Sequence, residues 1–295
     1  MDLSIIIVNY NTKKVTADCL RIIKNSQDKL KKETIVIDNG SSDGSLKYLK
    51  KRFPWARIYS SGGNLGFARG NNFGIKRAKG DYVWLLNSDT LLKPTTINTL
   101  INLTQENNSQ IASCRLLNKD GTIQPQGGFL PLLCRLTAWM LFIDDLPFIG
   151  ALIKPYQQRR LSFFRKNQHP GWLSGTALLI KRDFYNQMNG LDRQIFMYGE
   201  DVDFCLRAAK KGIKLDYFAK PALTHLGQAS GSNKGAVLGE YKGLKYIYQK
   251  HQPAWQYPFL RLLLKTGALL RIIIFGIILK DEVKKDVYTE AFKLA

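Results

Sequence analysis

The chain has 295 residues, 45% apolar and 11% aromatic, and its 44 Lys and Arg against 23 Asp and Glu give a formal charge of +21. This composition excludes a disordered chain and a disulfide-stapled miniprotein, and leaves one large α/β domain or two small ones. The charge calls for an anionic partner: nucleic acid, an anionic membrane surface or phosphorylated small molecules.

The excess is uneven, at net +9 over residues 1–128, +4 over 129–170, +2 over 171–229 and +6 over 230–295. The near-neutral third block gathers the carboxylates, so chemistry is expected there and anion attraction elsewhere. Cys19, Cys114, Cys134 and Cys205 lie far apart with no CxxC pair, which predicts four buried, reduced thiols rather than a zinc site or a disulfide framework. Met1-Asp2 runs straight into the apolar residues 3–8 without a basic leader region. No signal peptide is expected, and the catalytic part is expected in the cytoplasm.

Residues 5–8, 34–37, 56–59 and 82–86 are short β-branched or aromatic runs bounded by Gly, Asn, Asp or Pro, and read as buried strands. Between them, 15–26, 45–52 and 68–78 carry helical spacing. Strand–helix alternation with short connections predicts a parallel α/β sheet, whose ligands bind beyond the carboxyl ends of the strands. Those ends carry Asn9-Tyr10-Asn11, then Asp38-Asn39-Gly40-Ser41-Ser42-Asp43-Gly44, then a glycine- and asparagine-rich run over 62–72, then Asn87-Ser88-Asp89-Thr90. Any one of them could be plain turn chemistry, but four would open onto one sheet edge. No Gly-Lys-Ser/Thr follows the glycines and no GxGxxG follows the first strand, which disfavours a P-loop and a Rossmann dehydrogenase.

Residues 129–165 break the pattern: 129–141 is apolar and aromatic, 147–153 apolar, 157–166 basic, together an amphipathic insertion. Strand-like 177–181, helical 202–211 and strand-like 213–217 follow, and the last sixty residues read as helical.

Three places could hold chemistry. Asp89 ends a strong strand, where a carboxylate beside a phosphate-sized cavity suits Mg²⁺ or Mn²⁺; the alternative is an N-cap for the segment near Pro94. Glu200, Asp201 and Asp203 fall in the first turn of a helix with apolar flanks. They are either surface caps or a pocket wall in which a partly desolvated carboxylate becomes a general base. His225 follows the last strand, and spacing alone does not join it to Asp89; His169 and His251 read as structural.

Residues 8–11, 36–45, 64–72 and 86–90, with Gly190-Leu191-Asp192, the run Phe196-Met197-Tyr198-Gly199-Glu200-Asp201-Val202-Asp203 and His225, resemble a family 2 glycosyltransferase, in its rhamnosyltransferase-like branch, from about residue 3 to 231. The resemblance implies a GT-A fold, an α/β architecture with a Rossmann-like, mostly parallel mixed sheet flanked by helices. It implies inverting transfer from a nucleotide-diphosphate sugar, dTDP-rhamnose or a UDP-hexose, to a saccharide hydroxyl in cell-surface polysaccharide or O-antigen synthesis.

On this likeness Asn9, Tyr10, Asn11 and Asp38 would line the base and ribose pocket, and Asn64, Gly66, Arg69 and Asn72 would face ribose, diphosphate or sugar. Asp89, preceded by Asn87 and Ser88, matches the last acid of the family's DxD motif and would hold the metal, with His225 or water filling the place left by Asn87. Asp201 would be the catalytic base, and Trp172, Ser174 and Gly175 with Glu200 and Asp203 would border the acceptor. The implied domains are a catalytic domain over 1–230 and a helical, membrane-associating tail over 231–295. Within the first lie a nucleotide-sugar half over 1–110, the insertion over 129–166 and an acceptor and catalytic part over 171–230.

Two other readings stand beside this one. The charge and 13 Tyr admit a nucleic-acid binder, but the basic residues are not interleaved with aromatics on one face, so no nucleic acid is expected. Asn87 admits a degenerate transferase kept as a scaffold, against which Asp89, Asp201 and His225 stand. Over 257–280 Arg261, Lys265 and Arg271 interrupt an otherwise apolar run. At about 100° per residue the three share one side, which predicts an interfacial helix with its cations toward anionic lipid and an acceptor carried on a lipid diphosphate.

Overall fold

A computed structural model describes residues 1–146, 152–227 and 233–295; the 147–151 part of the apolar 147–153 run lies outside them. In chain order the strands are β1 (Leu3–Asn9), β2 (Lys32–Asp38), β3 (Arg57–Ser60), β4 (Tyr82–Leu86), β5 (Thr90–Leu92), β6 (Ile111–Leu117), β7 (Ile123–Gln124), β8 (Gly127–Gly128), β9 (Trp172–Leu173), β10 (Ala177–Lys181) and β11 (Asp216–His225). The helices are α1 (Lys13–Lys24), α2 (Ser45–Arg52), α3 (Gly66–Ile75), α4 (Thr96–Glu106), α5 (Leu133–Met140), α6 (Arg182–Gln187), α7 (Glu200–Lys210), α8 (Asn233–His251), α9 (Gln256–Ile272) and α10 (Glu282–Leu294). A π-helical stretch, Ile273–Ile278, continues α9.

The chain divides into two compact units, one of residues 1–127, 159–196 and 200–230, the other of 128–158, 197–199 and 231–295. The first unit is built on a sheet of order β3-β2-β1-β4-β10-β6-β11-β5, with β7 on β6. Strands β3, β2, β1 and β4 are mutually parallel. Their four carboxyl ends therefore share one edge, as the strand–helix alternation predicts. Strand β10 runs antiparallel to both β4 and β6, which makes the sheet mixed.

Period-2 alternation puts Leu3, Ile5 and Ile7 of β1, with Trp84 and Leu86 of β4, into the core on one face. Ile6, Val83 and Leu85 enter the core on the other. Both faces are covered, so the strands read as continuous apolar runs rather than alternating ones.

The last strand departs from expectation. Instead of ending at Tyr217 it starts at Asp216 and runs through Pro221 to His225, with its register on β6 shifting between Phe218 and Ala222. Proline has no N–H to give the ladder, and the irregularity absorbs it inside the strand instead of turning the chain. The Cys134 thiol is exposed, unlike the other three, because Cys134 lies in α5 of the second unit rather than in the sheet core.

In the second unit α9 is apolar on two sides. Leu260, Leu264, Gly267, Ala268 and Arg271 are buried, and a Cβ at Gly267 would meet the Met140 sulfur at 2.5 Å. Arg271 corrects the expectation of three outward cations. It is 5% exposed, its guanidinium donates to the Met140, Trp139 and Gly267 carbonyls, and it lies over the Phe142 ring at 4.3 Å. Among the described residues no carboxylate pairs with it, and three carbonyl oxygens and aromatic faces replace its water. Among the described residues no helix is long and apolar enough to cross a membrane.

Candidate active site

All site residues named from the sequence lie in the first unit, on the loops that follow β1–β4, on α3 and α7, in the β9–β10 region and at the end of β11. Asn9 ends β1 and is fully buried. Its amide donates to Asp38 Oδ2 at 2.8 Å and to Ser41 Oγ, while its carbonyl oxygen accepts from Thr12 and Thr16. Asp38 is 2% exposed and also accepts from the Ser41 N–H. Asn9 thus sets the Asp38 carboxylate rather than offering its own amide to a ligand. Asn11, at φ 54°, turns its side-chain oxygen onto the Ser42 and Asp43 amides and ties the first loop to the second. Tyr10 between them is half-buried.

The second and third loops are joined by Asn39, which the sequence reading did not single out. Its amide donates to Asn64 Oδ1 and to the Gly66 carbonyl, and its oxygen accepts from Leu65 N–H. Asn64 also accepts from Gly66 N–H. Gly66 has φ 78°, and a Cβ there would stand 2.2 Å from the Phe196 carbonyl; only glycine permits both the turn and the approach. The next residue, Phe67, donates its N–H to that same carbonyl at 2.8 Å.

Arg69 is exposed and gives one N–H to the Arg193 carbonyl. Asn72 is buried, donates to Leu191 O, and accepts from Leu191 N–H and the Tyr185 hydroxyl. Its hydrogen-bonding groups are engaged in fastening the 190–192 loop, a structural role in place of the expected donor contact.

Asn87, Ser88 and Asp89 fill the bend between β4 and β5. Ser88 is buried against Thr12, at 3.1 Å between hydroxyls. Asp89 does not cap a helix. Its carbonyl accepts from Leu226 N–H, and its carboxylate lies 3.3 Å from His225 Nε2. The Asn87 amide nitrogen is 3.5 Å from the same Nε2. The antiparallel pairing of His225 with Thr90 makes this meeting, a long-range register that spacing does not reveal.

A carboxylate and an imidazole nitrogen that converge in this way suit a divalent cation that accepts mixed oxygen and nitrogen donors, as Mn²⁺ does, which would complete its shell with diphosphate oxygens and water. Among the described residues no group of three or more His, Cys, Asp and Glu forms a closed metal cage.

The third part is the turn between β9 and β10. Trp172 is half-buried, and its carbonyl would stand 2.4 Å from a Cβ on Gly127. The hydroxyls of Ser174 and Thr176 meet at 2.8 Å, and Thr176 O accepts from Asn87 N–H. Gly175 donates its N–H to Asp201 Oδ2 at 3.0 Å. The turn therefore connects the Asp89 bend to the acid cluster.

Asp201 is the second residue of α7, half-buried, with Val202 N–H on its other oxygen. Crowding by protein atoms pushes its carboxyl above the ordinary aspartate range, and the two amide bonds offset only part of that. Its neighbours differ. Glu200 is buried at 5% exposure and Asp203 at 0%. Asp203 holds Arg207 at 2.8 Å one turn on, and Arg207 donates in turn to the Met188 and Gly190 carbonyls. That buried pair corrects the placement of Asp203 beside an acceptor: it fastens the loop before α7.

Comparison with known proteins agrees with this architecture. Residues 4–184 match Glycosyl transferase family 2. The N-acetylglucosaminyl-diphospho-decaprenol L-rhamnosyltransferase of Mycobacterium tuberculosis is 29% identical over 256 residues, 80% of this chain and 81% of that protein. The low-salt glycan biosynthesis hexosyltransferase Agl10 of Haloferax volcanii is 28% identical over 225 residues, 72% of this chain and 64% of that one.

In fold, TarS 1–349 of S. aureus superposes with a TM-score of 0.56 at 14% identity, covering 99% of this chain and 90% of that one. The mannosyltransferase PcManGT of Pyrobaculum calidifontis, solved with GDP-Man and Mn²⁺, gives 0.59 at 14% identity, covering 99% and 83%. These likenesses show the mixed α/β fold of GT-A enzymes. With residues 4–184, more than half of the chain, matched by the family model, the chain belongs to glycosyltransferase family 2.

Proposed function

We propose that this glycosyltransferase is an inverting, metal-dependent enzyme that moves rhamnose from dTDP-rhamnose, or a hexose from a UDP-sugar, to a hydroxyl of a lipid-linked saccharide at an anionic membrane surface. The product belongs to cell-surface polysaccharide or O-antigen synthesis. The names of the rhamnosyltransferase relatives support the sugar and the lipid carrier.

The observation that carries the mechanism is Asp201. It is held by the Gly175 amide, partly open to solvent, and raised in pKa, as a general base needs. An acceptor hydroxyl seated against Ser174 and Gly175 attacks the anomeric carbon, and Asp201 takes its proton as the bond forms. The nucleoside diphosphate leaves on the opposite side, so the configuration inverts. Asp89 and His225 would hold Mg²⁺ or Mn²⁺, which supplies neutralisation of the leaving diphosphate. Asp38 and the half-buried Tyr10 would receive the nucleoside, and the exposed Arg69 guanidinium would suit anionic oxygens.

The second unit supports the membrane part of the reading in a form different from the expected one. Trp255, Phe259, Leu262, Leu269 and Ile273 are all exposed, and at about 100° per residue they fall in one arc of about 80° opposite the buried stripe of α9. Ile277, Ile278 and Leu279 extend the apolar surface, at 59–72% exposure. Lys280, next in sequence to Leu279, is exposed, as are Lys250 and Lys284 of the same unit. Apolar residues would enter the headgroup region while lysines meet anionic lipid; Arg271 takes no part, being an internal anchor.

A thermal-shift panel of nucleotide sugars with and without Mn²⁺ tests the donor. A ligand that binds only the folded protein raises its melting temperature, and dTDP-rhamnose or a UDP-hexose should do so only with the cation. No shift with any sugar nucleotide would remove the reading.

A further inference from the structure

A neutral imidazole has one N–H and one lone pair, and which nitrogen keeps the proton decides whether it can ligate a cation. The surroundings of His225 contain a directional device for that choice, built from the hairpin that joins β6 to β7. The device starts at Asp120, a carboxylate that the Thr122 hydroxyl and amide hold below its usual range, so it is ionised and can only accept. The Thr122 hydroxyl donates to it at 2.6 Å. Having spent its proton there, the Thr122 oxygen must accept from Asn118, whose amide nitrogen lies 2.9 Å away. The Asn118 side chain is thereby oriented, and its oxygen accepts from the Gln124 amide nitrogen at 3.0 Å. This orients Gln124 in turn, so that its oxygen faces His225 Nδ1 at 2.8 Å.

We infer that the chain Asp120–Thr122–Asn118–Gln124 sets His225 in the Nδ1–H tautomer, with the Nε2 lone pair turned toward Asp89, and that Gln124 is a positioning residue for the metal site. The outer end of the chain agrees with this polarity. Asn87 presents an amide N–H donor to Nε2 at 3.5 Å, and Asp89 brings a second electron-pair donor to 3.3 Å from it. Two lone-pair donors facing one another repel weakly, a cost that the Gln124 hydrogen bond at Nδ1 outweighs and that a cation between them turns into attraction.

The opposite tautomer would put Nε2–H on Asp89 and leave the Nδ1 lone pair against the Gln124 oxygen, unless Gln124, Asn118 and Thr122 all reversed. The last cannot reverse without abandoning the Asp120 carboxylate. Asn87 brings an amide and not a carboxylate to this place, so a pre-set imidazole lone pair supplies a donor at no cost of tautomer change. Fixing the ring nitrogen of a ligand by hydrogen bonding to the other one is worth about 10- to 100-fold in metal affinity.

The consequence for metal rests on the reading of Asp89 and His225 as ligands; the tautomer does not. The test uses the full chain, metal-free, with ¹⁵N-labelled histidine at a pH where the imidazole is neutral. Long-range ¹H–¹⁵N correlation reports the tautomer, His225→Gln assigns the signal among the three histidines, and Mn²⁺ affinity is measured by electron paramagnetic resonance.

The account expects Nδ1–H at His225 in the parent chain and in Gln124→Glu, which keeps an acceptor for that N–H. Gln124→Leu should shift the ring to mainly Nε2–H and weaken Mn²⁺ binding about 10- to 100-fold. Thr122→Val, at an exposed site of the hairpin, should give a mixture of tautomers, because it frees Asn118 and Gln124 to turn. An Nε2–H parent, or Gln124→Leu that keeps Nδ1–H, overturns the inference. If the tautomers behave as expected but His225→Gln leaves Mn²⁺ affinity unchanged, the positioning of the ring stands and the assignment of His225 as a ligand falls.

Discussion

The Gly175 amide donates to the Asp201 carboxylate at 3.0 Å, and a Cβ on Gly175 would stand 3.0 Å from the Phe67 ring. One turn therefore sets the orientation of the acid and is itself pressed against the residue that follows Gly66. Gly175→Val should lower kcat about tenfold or more while leaving donor binding intact, because near-attack geometry tolerates little displacement. Steady-state kinetics and donor calorimetry on the same protein would check the split.

Asp201→Asn should fold, bind donor and lose about 10²- to 10⁴-fold in turnover, the usual contribution of a general base. It should also be more heat-stable. The Asp201 carboxyl is raised in the fold relative to the unfolded chain. Its contribution to stability is therefore full below the ordinary aspartate value of about 3.9 and is lost as pH rises through the folded value. The melting temperature of Asp201→Asn should exceed the parent's at neutral pH, with the gap closing on acidification. A gap that widens toward low pH would give the carboxyl the opposite sign.

Asp89→Ala should abolish cation-dependent donor binding. Calorimetry with and without Mn²⁺ reads this directly, and equal donor affinity in both arms would assign Asp89 elsewhere.

Asp203→Ala should cost about 3–5 kcal/mol, because it leaves the Arg207 guanidinium without its buried partner. The protein that remains folded should keep an acceptor KM near the parent's. A raised acceptor KM at unchanged stability would return Asp203 to the acceptor site.

Leu262→Ser with Ile277→Ser should reduce flotation with anionic liposomes, since both side chains are largely exposed on the outward face of the α9 region. Arg271→Met should instead destabilise the protein, because its partners are internal carbonyls. Unchanged flotation of the double variant would take this face out of membrane binding.

The four loops at the edge were legible because parallel strand–helix units put every strand's carboxyl end on one side, whatever the exact strand limits. The pairing of Asp89 with His225 was not, since it depends on antiparallel β5–β11 register and on an irregularity around Pro221. The orientation of α9 was not legible either: its Leu and Ile run almost all the way round, and partners distant in sequence, among them Met140, Trp139 and Phe142, turn Arg271 inward. The Asp203–Arg207 pair was available in the i,i+4 spacing, but so was a first-turn acid, and burial decides between them. Gln124, Asn39 and Thr176 carried no signal, because their roles arise from amide orientations across loops distant in sequence.

The most direct test is to incubate the purified chain with dTDP-rhamnose or a UDP-hexose, Mn²⁺ and a lipid-diphosphate-linked saccharide in anionic vesicles, and to read the new glycosidic linkage by NMR. The account predicts a product whose anomeric configuration is opposite to the donor's, formed by the parent chain and lost in Asp201→Asn. A product of retained configuration, or undiminished transfer by Asp201→Asn, would contradict it.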